Sequence, residues 1–412
     1  MQLAEIDLLD LDVFAERVPH DWFDYLRAEA PVYRHPEPHG PGFWVVTKHA
    51  DIAEVSHDWE HNSSDAKHGG IVGLQDLITP EQQAQSDVIN ANGKMMPALD
   101  PPEHTRYRKL VNRGFTPRMI GQLEEAIREQ ADAIIDKAIA KGECDLVVDV
   151  AAELPLQAIA QLLGVPHGDR HKIFDWSNRL IGSDDPEYAV ESELTVEAAI
   201  EMWSYAQGLA AQRREQPRDD IVSALLAADI DGDCLTEQDF NLFFLTLAVA
   251  GNETTRNAIS HAAQAFIENP DQYARLVEDR SLSTSATEEI LRWATPALYF
   301  RRNVTAPYEL RGQRIEAGDK VSIWYISGNR DEDVFDEPFR FDIGRDPNPH
   351  QAFGGGGPHF CLGASLARLE IRVLIEELAA RVRRLEGLGP PQRLRSNFIN
   401  GIKHLPVRLH IS

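Results

Sequence analysis

Cys361 is the first residue to account for. It stands in FGGGGPHFCLG (353–363), after four consecutive glycines and a histidine. Directly behind it comes ASLARLEIRVLIEELAARV, whose Leu366, Leu369 and Val373 share one helical face. A cysteine just ahead of a helix N-terminus meets free backbone N–H groups and the positive end of the helix dipole, and both stabilise a thiolate. Glycines let the backbone curl round the sulfur and let a flat ligand come close. A thiolate cradled by amides and open on one side is what an iron ligand requires. The alternative is a buried apolar cysteine, with the glycines forming a plain loop. Nucleotide loops do not fit: the third glycine of G-x-G-x-x-G would fall on His359 or Phe360, and G-K-[ST] is absent.

Three other stretches hold residues suited to chemistry. AGNETT (250–255) interrupts an apolar run with a glycine, a carboxylate at Glu253 and a hydroxyl at Thr254. Thr254 can bond back to the carbonyl of Ala250 and bend a helix locally, so a kink with a solvated acid is the plainer reading. In EHTRYRKLVNRGFTPR (103–118), His104 and Arg108 are four apart and share a helical face, with Arg106, Lys109 and Arg113 on the other side. EEILRW (288–293) sets Glu289 and Arg292 three apart, which by itself is one surface ion pair.

These residues need elements to position them. The spacing predicts a long helix from Thr236 to Asn269, opened by a Thr236/Asp239 capping box and closed by Pro270. Its length is then about 50 Å at ~1.5 Å per residue, enough to cross a domain. A second capping box, Ser285 with Glu288, opens a helix running through Trp293. Thr116-Pro117 starts another, with Ile120, Leu123, Ile127 and Ile134 as its apolar face and Gly142 as its stop. DDIVSALLAA (219–228) reads as a short helix. Strand signals are confined to GFWVVTK (42–48) and the Gly-punctuated alternation of 308–327, with an irregular stretch over 328–352. The expectation is one mainly helical domain over residues 1–412, with a small β region at about 30–60 and 308–327.

Composition limits the partners. The chain has 412 residues, 43% of them hydrophobic and 26% charged, as in packed globular proteins. A net charge of −25 argues against nucleic acid or an anionic membrane as the main partner. The three cysteines, Cys144, Cys234 and Cys361, make no disulfide framework and no zinc-ligand spacing. No signal peptide or membrane anchor is legible at the N-terminus, so a cytoplasmic protein is expected.

The cysteine loop resembles the haem-binding motif of cytochrome P-450 monooxygenases, F-G-x-G-x-H-x-C-x-G, through Phe353, Gly354, His359, Cys361 and Gly363. The run from Phe353 to His359 is one residue longer than the commonest form. The other stretches resemble further family motifs in the family's order, so the resemblance spans nearly the whole chain. It implies the cytochrome P-450 fold, haem b with iron held by Cys361, and an acid–alcohol pair, Glu253 and Thr254, that delivers protons. It also implies that His104, Arg108, Arg302 (in YFRRN) and His359 bind the haem propionates, and that Ala250 and Gly251 lie against the cofactor. Glu289 and Arg292 become a buried brace completed by a second arginine, Arg340 in EPFRF or Arg345 in FDIGR, and Arg340 is carried forward as the candidate. The basic face beside His104 becomes a place for an acidic electron donor to dock.

Within the family, AGNETTRN, the cysteine loop and NFINGIKHLPV (397–407) are most similar to bacterial enzymes acting on sterol side chains and methyl-branched lipids. The resemblance implies hydroxylation of a hydrophobic substrate with O2, driven by a ferredoxin and its NAD(P)H-dependent reductase. Alternatives are a monooxygenase of terpenoids or other secondary metabolites, a peroxide-driven peroxygenase, and a non-catalytic haem-based lipid sensor. By position, Met95, Met96, Val249, Ala250, Ala297, Leu298, Ile399 and Asn400 are expected to line the substrate pocket. Residues 170–205, interrupted by Gly182 and Pro186, are expected to form its lid.

Overall fold

In the computed structural model, residues 1–76, 95–112, 115–181, 185–187, 192–218, 220–230 and 232–411 are described. The long helix spans Glu237–Glu268 and is set by its ends. Asp239 N–H donates to Thr236 Oγ1 at 3.2 Å, and Thr236 N–H donates to Asp239 Oδ2 at 2.9 Å. Asn269 ends the helix, and Pro270 supplies the first residue of the next one. The long helix packs against Glu153–Leu162, Ser192–Glu215, Ser283–Ala294 and Ala364–Arg381, and the main hydrophobic core gathers round it.

Thr116 caps a short helix, Pro117–Gly121, through a bond from Met119 N–H to its hydroxyl. The chain then restarts as Glu124–Lys141 and stops at Gly142, which has a φ of 73°. Asp220 caps Ile221–Leu226. The expected Ser285/Glu288 capping box is not formed. That helix begins two residues earlier, at Ser283, so both residues lie inside it. Ser285 donates back to the carbonyl of Leu282, and Glu288 is taken by Arg368 and His350.

The principal sheet has five strands in the order Val32–His35, Phe43–Val46, Lys320–Trp324, Tyr299–Val304, Asn62–Ser63. Lys320–Trp324 runs parallel to Phe43–Val46, with Val321 opposite Trp44. It runs antiparallel to Tyr299–Val304, with Val321 opposite Arg302. The 308–327 region therefore supplies a hairpin, Tyr308–Leu310 with Gln313–Ile315, and then a central strand that ends in a helical turn at Tyr325–Gly328. Tyr299–Val304 was not foreseen, because its adjacent arginines break the apolar alternation. A second sheet joins Arg384–Gly387, Pro406–His410 and Glu143–Asp145. Residues 329–352 contain neither helix nor strand, as expected. Among the described residues no helix is long and apolar enough to cross a membrane.

Candidate active site

The helix Ala364–Arg381 begins immediately after Gly363, so Cys361 lies at its N-terminal end. The N–H groups of Gly363 and Ala364 both donate to the sulfur. Burial pushes the Cys361 thiol pKa up, and the Gly363 N–H, Arg108, Arg368 and the Ala364 N–H pull it back toward thiolate. The loop is pinned by Cys361 N–H donating to Phe353 O at 3.0 Å.

The glycine run serves a second purpose. A Cβ on Gly355 would sit 2.5 Å from Ser56 Oγ and 2.8 Å from Ile52 O, and one on Gly357 would sit 2.3 Å from Ser56 O. These glycines let the loop lie against the end of the helix His49–His57. Gly354 takes a φ of 102°, which side chains rarely adopt.

Cys361 opens onto a cavity of about 260 Å³ that also receives His104, Arg108, Arg302 and His359. His104 and Arg108 come from the helix Glu103–Val111, and Arg302 from the strand beside Val321. The His104 and His359 rings lie 4.3 Å apart at 45°. Burial, followed by the neighbouring Arg108 charge, lowers the His104 pKa to about 4. Burial, then Arg302, His104 and Arg108, drops that of His359 to about 2. Both rings are therefore neutral at pH 7, yet His104 Nδ1 and His359 Nε2 have no hydrogen-bond partner among the described residues. Burial also depresses both arginines, and neither forms an ion pair among the described residues. Two cations and two unmet imidazole nitrogens on one cavity wall suit an anionic edge of a ligand.

On the long helix, Ala250, Gly251 and Thr254 face the cavity. Thr254 Oγ1 donates to Ala250 O at 2.7 Å. A Cβ on Gly251 would meet Ile159 Cδ1 at 2.8 Å, so any larger residue there would push the Ile159 side chain aside. Glu253 is not on this face. It is buried, held by Arg256 and by Asn257 Nδ2 at 2.9 Å. Phe353, Gly354 and Gly363 also line the cavity.

Glu289 and Arg292 form a fully buried bidentate pair at 2.8 and 2.7 Å. The second arginine is Arg345, whose Nε lies 3.2 Å from Glu289 Oε2. Arg340 is not part of the brace. Its side chain is exposed and pairs with Glu337, and only its carbonyl turns inward, accepting from Arg292 and Arg345. The chain reverses between the two positions, which sequence spacing does not disclose.

Of the expected lining residues, Met96, Ala250 and Ala297 reach the cavity; Met95, Val249, Leu298, Ile399 and Asn400 do not. The lining face of the long helix carries Phe243, Leu247, Ala250 and Thr254, and Val249 is about 100° off it. Leu298 packs instead with Trp324 and Tyr299 in a separate core under the sheet. Ile399 bridges the backbone of Ala297, and Asn400 Oδ1 accepts from Arg393. Missed by sequence reasoning were Tyr325, whose hydroxyl bonds Ser56 and Arg302, and Glu370 in the cysteine helix; no motif marked either.

The 170–205 region forms Arg170–Ile181 and the start of Ser192–Glu215. Between them Asp185 bonds Lys403, and Glu187 bonds Lys403 and His404. Gly182 and Arg113 lie outside the described residues. On the outer side of Glu103–Val111, Lys109 is exposed and Arg106 lies over the Tyr107 ring.

The family description Cytochrome P450 matches residues 193–384. A steroid C26-monooxygenase of Rhodococcus jostii (strain RHA1) is 46% identical over 407 residues, covering 97% of this chain and 84% of that protein. A methyl-branched lipid omega-hydroxylase of Mycobacterium tuberculosis (strain ATCC 25618 / H37Rv) is 41% identical over 417 residues, covering 98% and 95%. Among solved structures, a Mycobacterium marinum cytochrome P450 in complex with pseudoionone superposes with a TM-score of 0.87 at 39% identity, covering 96% of each chain. Identity at this level over nearly the whole length, on the same fold and with monooxygenases among the relatives, is decisive: the chain belongs to the cytochrome P450 family of monooxygenases.

Proposed function

We propose that this monooxygenase hydroxylates a terminal methyl carbon of a steroid side chain or methyl-branched lipid, using O2 and electrons from a ferredoxin and its NAD(P)H-dependent reductase. We propose a cytoplasmic location and a single catalytic domain. The observation that carries the reading is one cavity with an amide-cradled sulfur and two arginines without an ion pair among the described residues on one side, and an apolar wall on the other.

The residues present fit haem b. Cys361 Sγ would ligate the iron, and His104, Arg108, Arg302 and His359 would take the propionates, which would satisfy His104 Nδ1 and His359 Nε2. Bound there, the haem supplies iron that activates O2, and thiolate ligation favours O–O cleavage. The Gly363 and Ala364 N–H groups hold the charge on sulfur. Thr254 Oγ1 offers a hydroxyl on the cavity wall that can hold and pass a proton, and Gly251 keeps the helix surface open beside it. Glu253 reaches solvent protons only after leaving Arg256 and Asn257.

The substrate side is built from Met96, Phe115, Ile159, Phe243, Leu247 and Phe300. Thr246 also lines it, its hydroxyl bonded back to Leu242 O at 2.7 Å as that of Thr254 is to Ala250 O. Such a wall accepts hydrocarbon and leaves any polar head of the ligand outside. The test is to titrate the ferric protein with steroids, branched fatty acids and terpenoids, then identify products with a ferredoxin system. A low-to-high-spin shift and a terminal alcohol from a steroid or branched lipid are expected. No response to either class would refute the substrate assignment. Cys361→Ser should abolish the strongly red-shifted Soret band of the reduced carbon monoxide complex, and survival of that band would refute the ligand.

A further inference from the structure

Ile71 lines the reaction cavity from a segment, residues 69–74, that has little packing of its own. Gly69, Gly70 and Gly73 take φ of 121°, 75° and 79°, and Val72 is exposed. Leu74 enters the core beneath the sheet. Glycines on both sides of Ile71 leave the backbone free to place that side chain in many ways, so something else must fix it.

The strand Tyr299–Val304 does so. Phe300 and Arg302 face the cavity, and by strand alternation Arg301 and Asn303 take the opposite face. Arg301 N–H donates to Ile71 O at 2.8 Å, continuing the sheet edge beyond the Ser63–Asn303 pair. On either side of Ile71, Asn303 Nδ2 donates to Gly70 O at 2.7 Å and Arg301 Nη1 donates to Gly73 O at 3.0 Å. Arg301 Nε donates to Asn303 Oδ1 at 2.8 Å, which turns the amide toward Gly70. A Cβ on Gly69 would collide with Arg301 Nη2 and sit 2.8 Å from Asn303 Oδ1, so the segment lies directly on both side chains. Arg301 is buried and forms no ion pair among the described residues; Asp76 and Glu37, the acids that attract it, both hold Lys320. Burying a guanidinium without a carboxylate costs stability, and here its bonds go to the segment that carries Ile71 and to the amide that shares the task.

We propose that Arg301 and Asn303 are positioning residues that set how far Ile71 enters the substrate wall, and so which carbon at the hydrocarbon end of the substrate is attacked. The proposal rests on the monooxygenase reading above. Ile71 touches the substrate; Arg301 and Asn303 act through it. Slack of about 1 Å in that wall is enough to bring a neighbouring carbon into the reacting position.

The test uses haem-loaded protein and the ratio of terminal to penultimate alcohol formed from a steroid or branched fatty acid. Ile71→Ala should lower the ratio by about 10-fold. Arg301→Ala, which loses the Gly73 bond and frees the Asn303 amide, should lower it by a similar factor with the spectrum of the reduced carbon monoxide complex unchanged. Arg301→Lys can bond one of the two acceptors and should recover part of the ratio. Adding Arg301→Ala to Ile71→Ala should shift it little further, because the arginine acts through the isoleucine. An unchanged ratio in Arg301→Ala, whatever the total yield, marks a structural role and overturns the proposal, as does full additivity with Ile71→Ala. A second measurement needs no turnover: the dissociation constants of imidazoles carrying a straight octyl chain or an adamantyl group. The wild type should prefer the slim ligand, and Ile71→Ala and Arg301→Ala should relax that preference by about 10-fold each. If neither lipid class is turned over, the functional reading fails by itself, and an unrelaxed preference in Arg301→Ala then decides against the clamp.

Discussion

Replacing Arg345 and Arg340 by alanine in parallel separates two arginines that the sequence alone could not rank. Glu289 is fully buried and receives Arg292 at 2.8 and 2.7 Å, Arg345 at 3.2 Å, Asn348 Nδ2 at 3.1 Å and Asp342 N–H at 3.0 Å. Two guanidinium groups thus face one carboxylate. Backbone carbonyls take up the excess: Asn329 O and Pro338 O from Arg292, and Asp336 O, Glu337 O and Arg340 O from Arg345. Arg345→Ala removes one charge-assisted contact and strips three carbonyls of a donor. Glu289 keeps Arg292, so the loss stays below that of a fully orphaned charge, at about 2–4 kcal/mol. Arg340→Ala removes only a solvent-screened pair whose side chains are 56% and 64% exposed, so stability should barely change. Urea unfolding of both haem-loaded variants, followed by far-UV circular dichroism, should show the Arg345 midpoint well below wild type and the Arg340 midpoint near it. Equal losses, or a larger one for Arg340→Ala, would refute the assignment of the brace.

Thr254→Ala should leave haem binding intact but divert most NADH consumption to peroxide; unchanged coupling would remove its hydroxyl from proton delivery. Gly355→Ala should lower stability by about 1–3 kcal/mol, because its Cβ would collide with Ser56 Oγ and Ile52 O. Gly208→Ala, in the helix Ser192–Glu215 with nothing within 4 Å of the new atom, should raise it by ~0.5–1 kcal/mol, and thermal midpoints would expose a reversal. Glu370 keeps its proton when folded up to a pKa of about 8, against 4.5 ordinarily, so the folded state binds more protons in that window and stability falls as pH rises through it. Glu370→Gln abolishes this loss, so its advantage over wild type should grow by up to about 1.4 kcal/mol per pH unit between pH 5 and 8, and a pH-independent difference would contradict a buried neutral acid.

The parts legible in the sequence were those whose signals are local. Thr236, Asp239 and Pro270 fix both ends of the long helix through bonds and φ restrictions a few residues long. The Cys361 loop was readable because glycines, cysteine and helix start adjoin one another. What failed depended on rotation or chain reversal. Val249 and Leu247 are both apolar, and only the phase of the helix decides that Leu247 faces the cavity. Arg340 and Arg345 sit in one irregular stretch whose turns are fixed by carbonyls accepting from both braced arginines. Tyr299–Val304 carries two arginines that look unlike strand interior until the cavity gives Arg302 somewhere to point.

Hydrogen bonding divides the polar residues more sharply than motif membership does. Glu289 and Arg292, and Glu253 with Arg256, are buried with partners from the protein itself, so their positions follow from folding alone. His104 Nδ1, His359 Nε2 and Glu370 Oε2 are buried without partners among the described residues and border one cavity. An unmet buried polar atom costs about 1–3 kcal/mol, which stability alone would not retain three times around one space. Lack of a partner is insufficient by itself: Asn252 has both amide atoms unmet among the described residues, yet it lies about 160° round the long helix from Thr254, away from the cavity. The pairing of an unmet atom with an open wall is what selects the two histidines for the ligand's anionic edge.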